Sequence, residues 1–263
     1  MLPYAIGRSA AGRTFYVTRE PSQSSLLEPN PQRVTPSWEV VATPKIDTHA
    51  LDDLYARGEL TGVYDFIKLD TQGSELEILQ ASAERVLPNT LGVETEAEFF
   101  DLYRDQPLFS EVELYLRAWG FELVLLKERF SQREQHEMDA TRRRLTYCDA
   151  VFLRGSAWLA QLDDAPRQKS LKRLVALYLT YGLCAEALTL ALPYDAQLAQ
   201  FVREYHAAAA DYGWRWRLGL LRAALACALS PSRRQRIRLA RRILTIDSPD
   251  GGRWSLLDVH NTL

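Results

Sequence analysis

Asp65-Phe66-Ile67-Lys68-Leu69-Asp70-Thr71-Gln72-Gly73-Ser74-Glu75-Leu76-Glu77-Ile78-Leu79 is the stretch that decides the reading of this 263-residue chain. An apolar strand runs into a carboxylate, crosses a glycine turn and opens a helix. Val63, Tyr64, Phe66, Ile67 and Leu69 make the nearly continuous apolar run expected of a strand buried on both faces of a parallel sheet. Asp70 then falls at the carboxyl end of that strand, the edge where open α/β sheets bind ligands because the departing loops splay apart. Gly73 supplies the turn. Ser74 and Glu77 have the spacing of a capping box. Leu76, Leu79, Ala83, Val86 and Leu87 repeat at helical spacing and predict one apolar helix face against the sheet, with Pro88 as its stop.

Outward from this unit, a β-rich segment is predicted over Thr14 to Thr18, a Pro- and Ser-rich loop over Pro21 to Pro36, a β-like piece over Trp38 to Val41, and a short helix over Leu51 to Arg57. Downstream, Thr90 to Thr95 reads as the next strand, ending in Glu94 and Glu96. Ser110 with Glu113 gives a second capping box before a helix that closes at Gly120. Phe121 to Lys127 and Tyr147 to Leu153 read as paired strands around a polar insert, Glu128 to Thr146. Beyond Arg154 helix formers take over. Leu171, Leu174, Val175, Tyr178 and Tyr181 follow helical spacing, Gly182 closes that helix, and four more are predicted over Cys184 to Leu192, Asp195 to Tyr212, Trp214 to Leu229 and Ser232 to Ile246.

The signature resembles that of the FkbM family of S-adenosylmethionine-dependent methyltransferases, in which an apolar strand carries Lys-x-Asp-x-x-Gly-x-Glu into a helix. Here those positions are Lys68, Asp70, Gly73 and Glu75. Ala5-Ile6 with Gly12, Ser24-Ser25-Leu26, Leu51 to Leu54, Gly92 to Glu96, Gly120-Phe121 and Cys148 to Phe152 agree in order, so the resemblance covers roughly Leu2 to Arg154. It implies an α/β fold, a Rossmann-like class I methyltransferase sheet lacking its first strands, over residues 1–158. An all-α domain of unassigned role follows over 165–263. The implied activity is O-methylation of a hydroxyl on a sugar, glycan or other secondary metabolite, with S-adenosylmethionine as cosubstrate.

Methyl transfer to a hydroxyl requires alignment of the two partners and removal of the acceptor's proton. Asp70 is the leading candidate base, although a turn aspartate has the same spacing. Glu75 is the second candidate catalytic carboxylate; the helix dipole alone also favours a carboxylate there. Lys68 within an apolar strand needs a partner, because a buried ammonium is costly alone, and Glu94 is the expected one. Lys68, Glu94 and Ser25 are the candidate substrate-binding residues; Ser25 also suits a turn. Glu96 and Glu98 read as a solvated face. The adenine would be flanked by Ala5 and Ile6. No Gly-x-Gly or Gly-x-x-x-Gly follows an apolar strand, so the donor-binding half of the class I pattern is missing. The expectations are therefore a fragment or wrongly started chain, an unpaired edge on the signature strand, and weak binding of the donor by this polypeptide alone. The rival reading is a non-catalytic interaction protein built on a decayed methyltransferase domain with a helical binding module.

Composition fits a soluble globular protein, with 47% hydrophobic and 25% charged residues and a net charge of −2 that gives no case for nucleic acid. The charge is uneven: residues 1–160 hold 17 Lys/Arg against 25 Asp/Glu, and residues 161–263 hold 15 against 9. Attraction between the two parts is the simplest account of that imbalance. Arg233, Arg234, Arg238, Arg241 and Arg242, interleaved with aliphatic residues, would also suit an amphipathic helix in weak contact with an anionic membrane. A solvated basic face is the commoner use of such a pattern. Cys148, Cys184 and Cys227 lack metal or redox spacing, and the four histidines are dispersed, so no metal site is indicated. Neither a secretory leader nor an apolar run of spanning length is present, and a cytoplasmic protein is expected.

Overall fold

The computed structural model describes residues 3–33, 35–130 and 145–208. The chain divides into two units, Met1–Leu177 and Tyr178–Leu263. The first is mixed α/β. It begins with short strands, β1 (Ala5–Ile6), β2 (Ala10–Thr14), β3 (Val17–Thr18), β4 (Val40–Ala42) and β5 (Lys45–His49), followed by helix α1 (Leu51–Ala56). β1 lies parallel to β5 and β2 antiparallel to it, while β3 and β4 form a separate two-stranded ribbon. The strand β5 has no counterpart in the sequence reading, because Lys45-Ile46-Asp47-Thr48-His49 offers only one strongly apolar side chain.

The signature forms strand β6 (Phe66–Leu69) and helix α2 (Glu75–Gln80). Then come β7 (Gly92–Glu98), α3 (Phe109–Ala118), β8 (Phe121–Phe130) and β9 (Leu145–Arg154), arranged in the order β6-β7-β9-β8. β6 runs parallel to β7, and β9 runs antiparallel to both of its neighbours. On one face of this sheet Leu69, Val93, Ala97, Ala150 and Phe152 pack with Leu76, Ile78 and Leu79 of α2 and with Val112 and Leu116 of α3. Strand alternation sends Lys68, Glu94, Glu96, Glu98, Asp149 and Val151 to the other face.

Several local expectations are corrected. β6 is a short edge strand that is not buried on both faces: Val63 and Tyr64 lie before it and are exposed, as is Lys68. The absence of a second strand neighbour explains this, since among the described residues β6 pairs with β7 alone. The capping boxes do not form as read. Ser74 Oγ bonds back to Thr71, and Glu77 turns away to accept the Arg8 N–H at 2.8 Å and the Arg13 guanidinium. In α3 the amide of Leu108 is capped by Glu111 at 2.9 Å, whereas Glu113 pairs with Arg117 one turn on. Helix α2 ends at Gln80, well before Pro88. Ser82 Oγ bonds the Ile78 carbonyl, and the Asp52 carboxylate of α1 accepts the amides of Glu84, Arg85 and Val86, holding an irregular turn instead. Val86 and Leu87 remain buried as read.

After β9, α4 (Ser156–Ala160) and α5 (Asp164–Thr180) follow, and α5 crosses the division between the units. At its end Gly182 adopts φ 76°, and the Leu183 amide closes on the Tyr178 carbonyl at 2.9 Å. The second unit continues with α6 (Cys184–Ala191) and a helix over 196–208, whose start is capped by Asp195 at 2.9 Å from the Leu198 amide. All secondary structure described from 178 to 208 is helical. The expected helices Trp214 to Leu229 and Ser232 to Ile246, with Arg233, Arg234, Arg238, Arg241 and Arg242, lie outside the described residues. So does Cys227; Cys148 is buried and Cys184 partly so, both as thiols. None of the helices among the described residues is long and apolar enough to cross a membrane.

Candidate functional site

The loop leaving β6 makes the site. Asp70 is exposed at the strand's end, Gln72 takes a left-handed conformation at φ 57°, and Gly73 follows at φ 99°. For a non-glycine residue that region costs about 1–2 kcal/mol, so surrounding contacts must hold Gln72 there. They do. Its carbonyl accepts Ser25 Oγ at 2.6 Å, its amide oxygen accepts the Tyr103 hydroxyl at 3.0 Å, and its amide nitrogen donates to Glu96 at 2.7 Å and to Asp70 at 3.2 Å. Gly73 passes so close to Gln106 that a Cβ there would approach its side-chain nitrogen to 3.1 Å.

Asp70, Thr71, Gln72 and Ser74 form one rim of a cleft of about 290 Å³. Ala5 and Ile6 of β1, Ile46 of β5, Phe15 and Leu26 supply apolar wall, and Ser22 and Ser24 complete the polar lining. The residues expected at the adenine, Ala5 and Ile6, thus meet the leading base candidate across one cavity. They come from separate sheets and lie more than sixty positions apart in sequence.

The other candidates stand elsewhere. Glu75 is 3% exposed and does not line the cleft. Its carboxylate accepts the Thr71 amide at 2.6 Å and the Thr71 hydroxyl at 3.0 Å, which clamps the loop from beneath. Burial pushes its carboxyl above the usual range, against the pull of those bonds. Ser25 is buried too and serves the loop: besides donating to Gln72 it accepts the Leu27 amide at 3.0 Å. Its neighbour Ser24 lines the cavity instead.

Lys68 pairs with Glu94 as expected, at 3.2 Å, but Lys127 reaches the same carboxylate at 2.9 Å. The premise of a buried ammonium does not hold, because the Lys68 side chain is 57% exposed and Glu94 is the buried partner. The bond with Glu94 raises the Lys68 pKa. Glu94 also lies inside β7, in register with Lys68, and does not share the edge with Asp70. By register Glu96 is the residue level with Asp70.

Glu96 and Glu98 are not a solvated face. Glu98 is 2% exposed, and burial pushes its carboxyl up to about 8, assisted by the charges of Glu75 and Glu96. Burial, then the charges of Asp70, Glu75 and Asp149, push Glu96 up to about 7. Tyr103, fully buried, is shifted upward first by burial and then by Glu98. A carboxyl poised near neutrality beside a cleft is the kind of group acid–base chemistry uses. Period-2 spacing of Glu94, Glu96 and Glu98 could have disclosed the shared face. Nothing in the sequence marks Gln72 or Tyr103. No group of acidic, histidine and cysteine side chains among the described residues has the arrangement of a metal site.

Residues 1–123 match the family model described as the methyltransferase FkbM domain. The match takes in β1, the Ser24-Ser25-Leu26 piece, the signature, Gly92 to Glu96 and Gly120-Phe121, and stops short of Cys148 to Phe152. The chain matched no curated protein and no solved structure.

Proposed function

From the premise that residues 1–123 carry an FkbM methyltransferase domain, we propose that this chain is an S-adenosylmethionine-dependent O-methyltransferase acting on an uncharged hydroxyl of a sugar or secondary metabolite. The observation that carries the reading is the cleft in which Asp70, at the carboxyl end of β6, faces Ala5 and Ile6. The parallel β6–β7 pair gives that edge the direction at which α/β sheets gather ligands. An apolar wall from Ala5, Ile6, Phe15, Leu26 and Ile46 fits a flat heteroaromatic ring, while the volume lies at the small end of ligand pockets, about 300–1,000 Å³. The residues present therefore fit the adenine end of the donor. A weak, saturable affinity follows.

The donor, when bound, supplies a methyl group on a positively charged sulfur. The chain's own part is orientation and proton removal. Asp70 accepts the proton of the acceptor hydroxyl, and the serine and threonine hydroxyls of the rim align the acceptor's remaining oxygens. Among the described residues no lysine or arginine lines the cleft, which favours a neutral acceptor over a phosphorylated one.

The test is a transfer assay with radiolabelled donor and a panel of sugar and polyol acceptors, run beside calorimetric titration of the donor. Asp70→Asn should leave donor affinity within about twofold and lower transfer by ~10²–10⁴, the usual contribution of a general base. Ile6→Asp should abolish donor binding. Transfer unchanged by Asp70→Asn, or binding unchanged by Ile6→Asp, would remove the proposal. The absence from the sequence of a glycine-rich loop after an apolar strand favours a second reading, a non-catalytic interaction protein. It predicts no transfer to any acceptor at saturating donor.

A further inference from the structure

The Gln72 side chain touches both Asp70 at the cleft and the half-buried Glu96 carboxylate behind it. A primary amide has two N–H hydrogens on nitrogen and acceptor capacity on oxygen. Here the nitrogen lies 3.2 Å from Asp70 Oδ1 and 2.7 Å from Glu96 Oε2, and the oxygen lies 3.0 Å from the Tyr103 hydroxyl. Reversing the amide would set its oxygen against two carboxylates, so this orientation is the satisfied one. The Ser25 hydroxyl locks the backbone of the same residue at 2.6 Å.

We propose that Gln72 is the positioning residue of the site: it fixes the Asp70 carboxylate at the mouth of the cleft and ties that placement to the charge on Glu96. The proposal rests on Asp70 being the base of the reading above. When Glu96 takes a proton its hold on the amide weakens, and Gln72 shifts its hydrogen bonding toward Asp70; when Glu96 ionises, the amide is drawn back. The groups around Glu96 are Asp70 and Lys68 from β6, Glu75 from α2, Glu94 and Glu98 along β7, Asp149 directly opposite on β9, Lys127 from β8 and Tyr103 from the following loop. Both lysines are bonded to Glu94. The Gln72 hydrogen bond opposes the rise that burial and the Asp70 charge impose on Glu96.

NMR titration of the Glu96 carboxyl carbon and of the Gln72 side-chain amide in the full chain tests this without relying on turnover. In the wild type the Gln72 side-chain amide signal should move with a midpoint near pH 7, that of Glu96. Gln72→Leu should raise the Glu96 midpoint. Gln72→Asn, which tolerates the left-handed backbone but is too short to bridge, guards against misfolding and should raise it as well. In the transfer assay Gln72→Asn should lower kcat by about tenfold to a hundredfold, as for a slightly misplaced group, with KM for the donor within about twofold. A wild-type Gln72 amide signal that does not follow Glu96, or folded Gln72 variants with an unmoved Glu96 midpoint, would overturn the proposal. Should the wild type transfer no methyl group while the amide follows Glu96 and the midpoint rises as stated, the linkage stands and the O-methylation reading falls.

Discussion

Replacing Glu98 by Gln is expected to remove a large part of the pH dependence of folding. In the folded chain this carboxyl titrates at about 8, first because it is buried and then because Glu75 and Glu96 lie near; the ordinary value is 4.5. Between those two pH values the folded state keeps a proton that the unfolded state has released. The stabilisation is therefore complete below pH 4.5 and is lost as pH climbs through 8. At about 1.4 kcal/mol for each pKa unit, the interval sets a ceiling of about 5 kcal/mol. Relaxation and water penetration, which raise the effective dielectric of buried sites, bring the expected loss to ~2–3 kcal/mol. Urea unfolding at pH 5 and pH 9, followed by tryptophan fluorescence with Trp38 tilted against the Tyr103 ring at 5.2 Å between centroids, measures it in both proteins. The wild type should lose more stability than Glu98→Gln by that amount between the two conditions. Equal losses would show that Glu98 keeps no proton in the folded state.

Two further outcomes concern the frame of the site. Asp52→Ala strips the acceptor from the amides of Glu84, Arg85 and Val86; it should cost ~1–3 kcal/mol and speed hydrogen exchange at those three amides, and unchanged protection there would refute the role. Arg154 is 2% exposed and donates to the carbonyls of Thr90, Leu87 and Trp119 with its guanidinium over the Phe121 ring. A lysine cannot span that fork, so Arg154→Lys should cost ~2–4 kcal/mol in urea melts, and a loss under about 0.5 kcal/mol would contradict the geometry.

Local pattern made the signature unit, the β8–β9 pair and the helix closed by Gly182 legible, because each is written in a continuous run of periodic side chains. Asp70 was legible for the same reason: strand direction alone puts the residue after Leu69 at the sheet's edge. Ala5 and Ile6 were found through the family pattern, since two residues in a strand carry no periodicity. The capping boxes misled because Ser74 and Glu77 had competing partners, Thr71 and the Arg8–Arg13 segment, that only tertiary structure brings near. Glu96 and Glu98 were misread because a carboxylate is ordinarily solvated, and nothing in their spacing reports that Tyr103, Gln72 and Gln106 close over them. Gln72 depends on Ser25, Tyr103 and Glu96 arriving from three separate segments.

The brace between Glu77 and the Arg8–Arg13 segment has a mechanical corollary. With the grip of Asp52 on the 84–86 turn, it ties the layer bearing β1 and β5 to the layer bearing α2, the two sides between which the cleft opens. Ile6 and Leu51 pack against the core that α2 shares, so charges and amides work beside apolar contact along that seam. Although burial opposes it, pairing with Arg13 and Arg8 keeps Glu77 below the ordinary carboxyl range. The brace accordingly keeps its charge in moderately acidic solution, and screening by concentrated electrolyte weakens its half-buried ion pair.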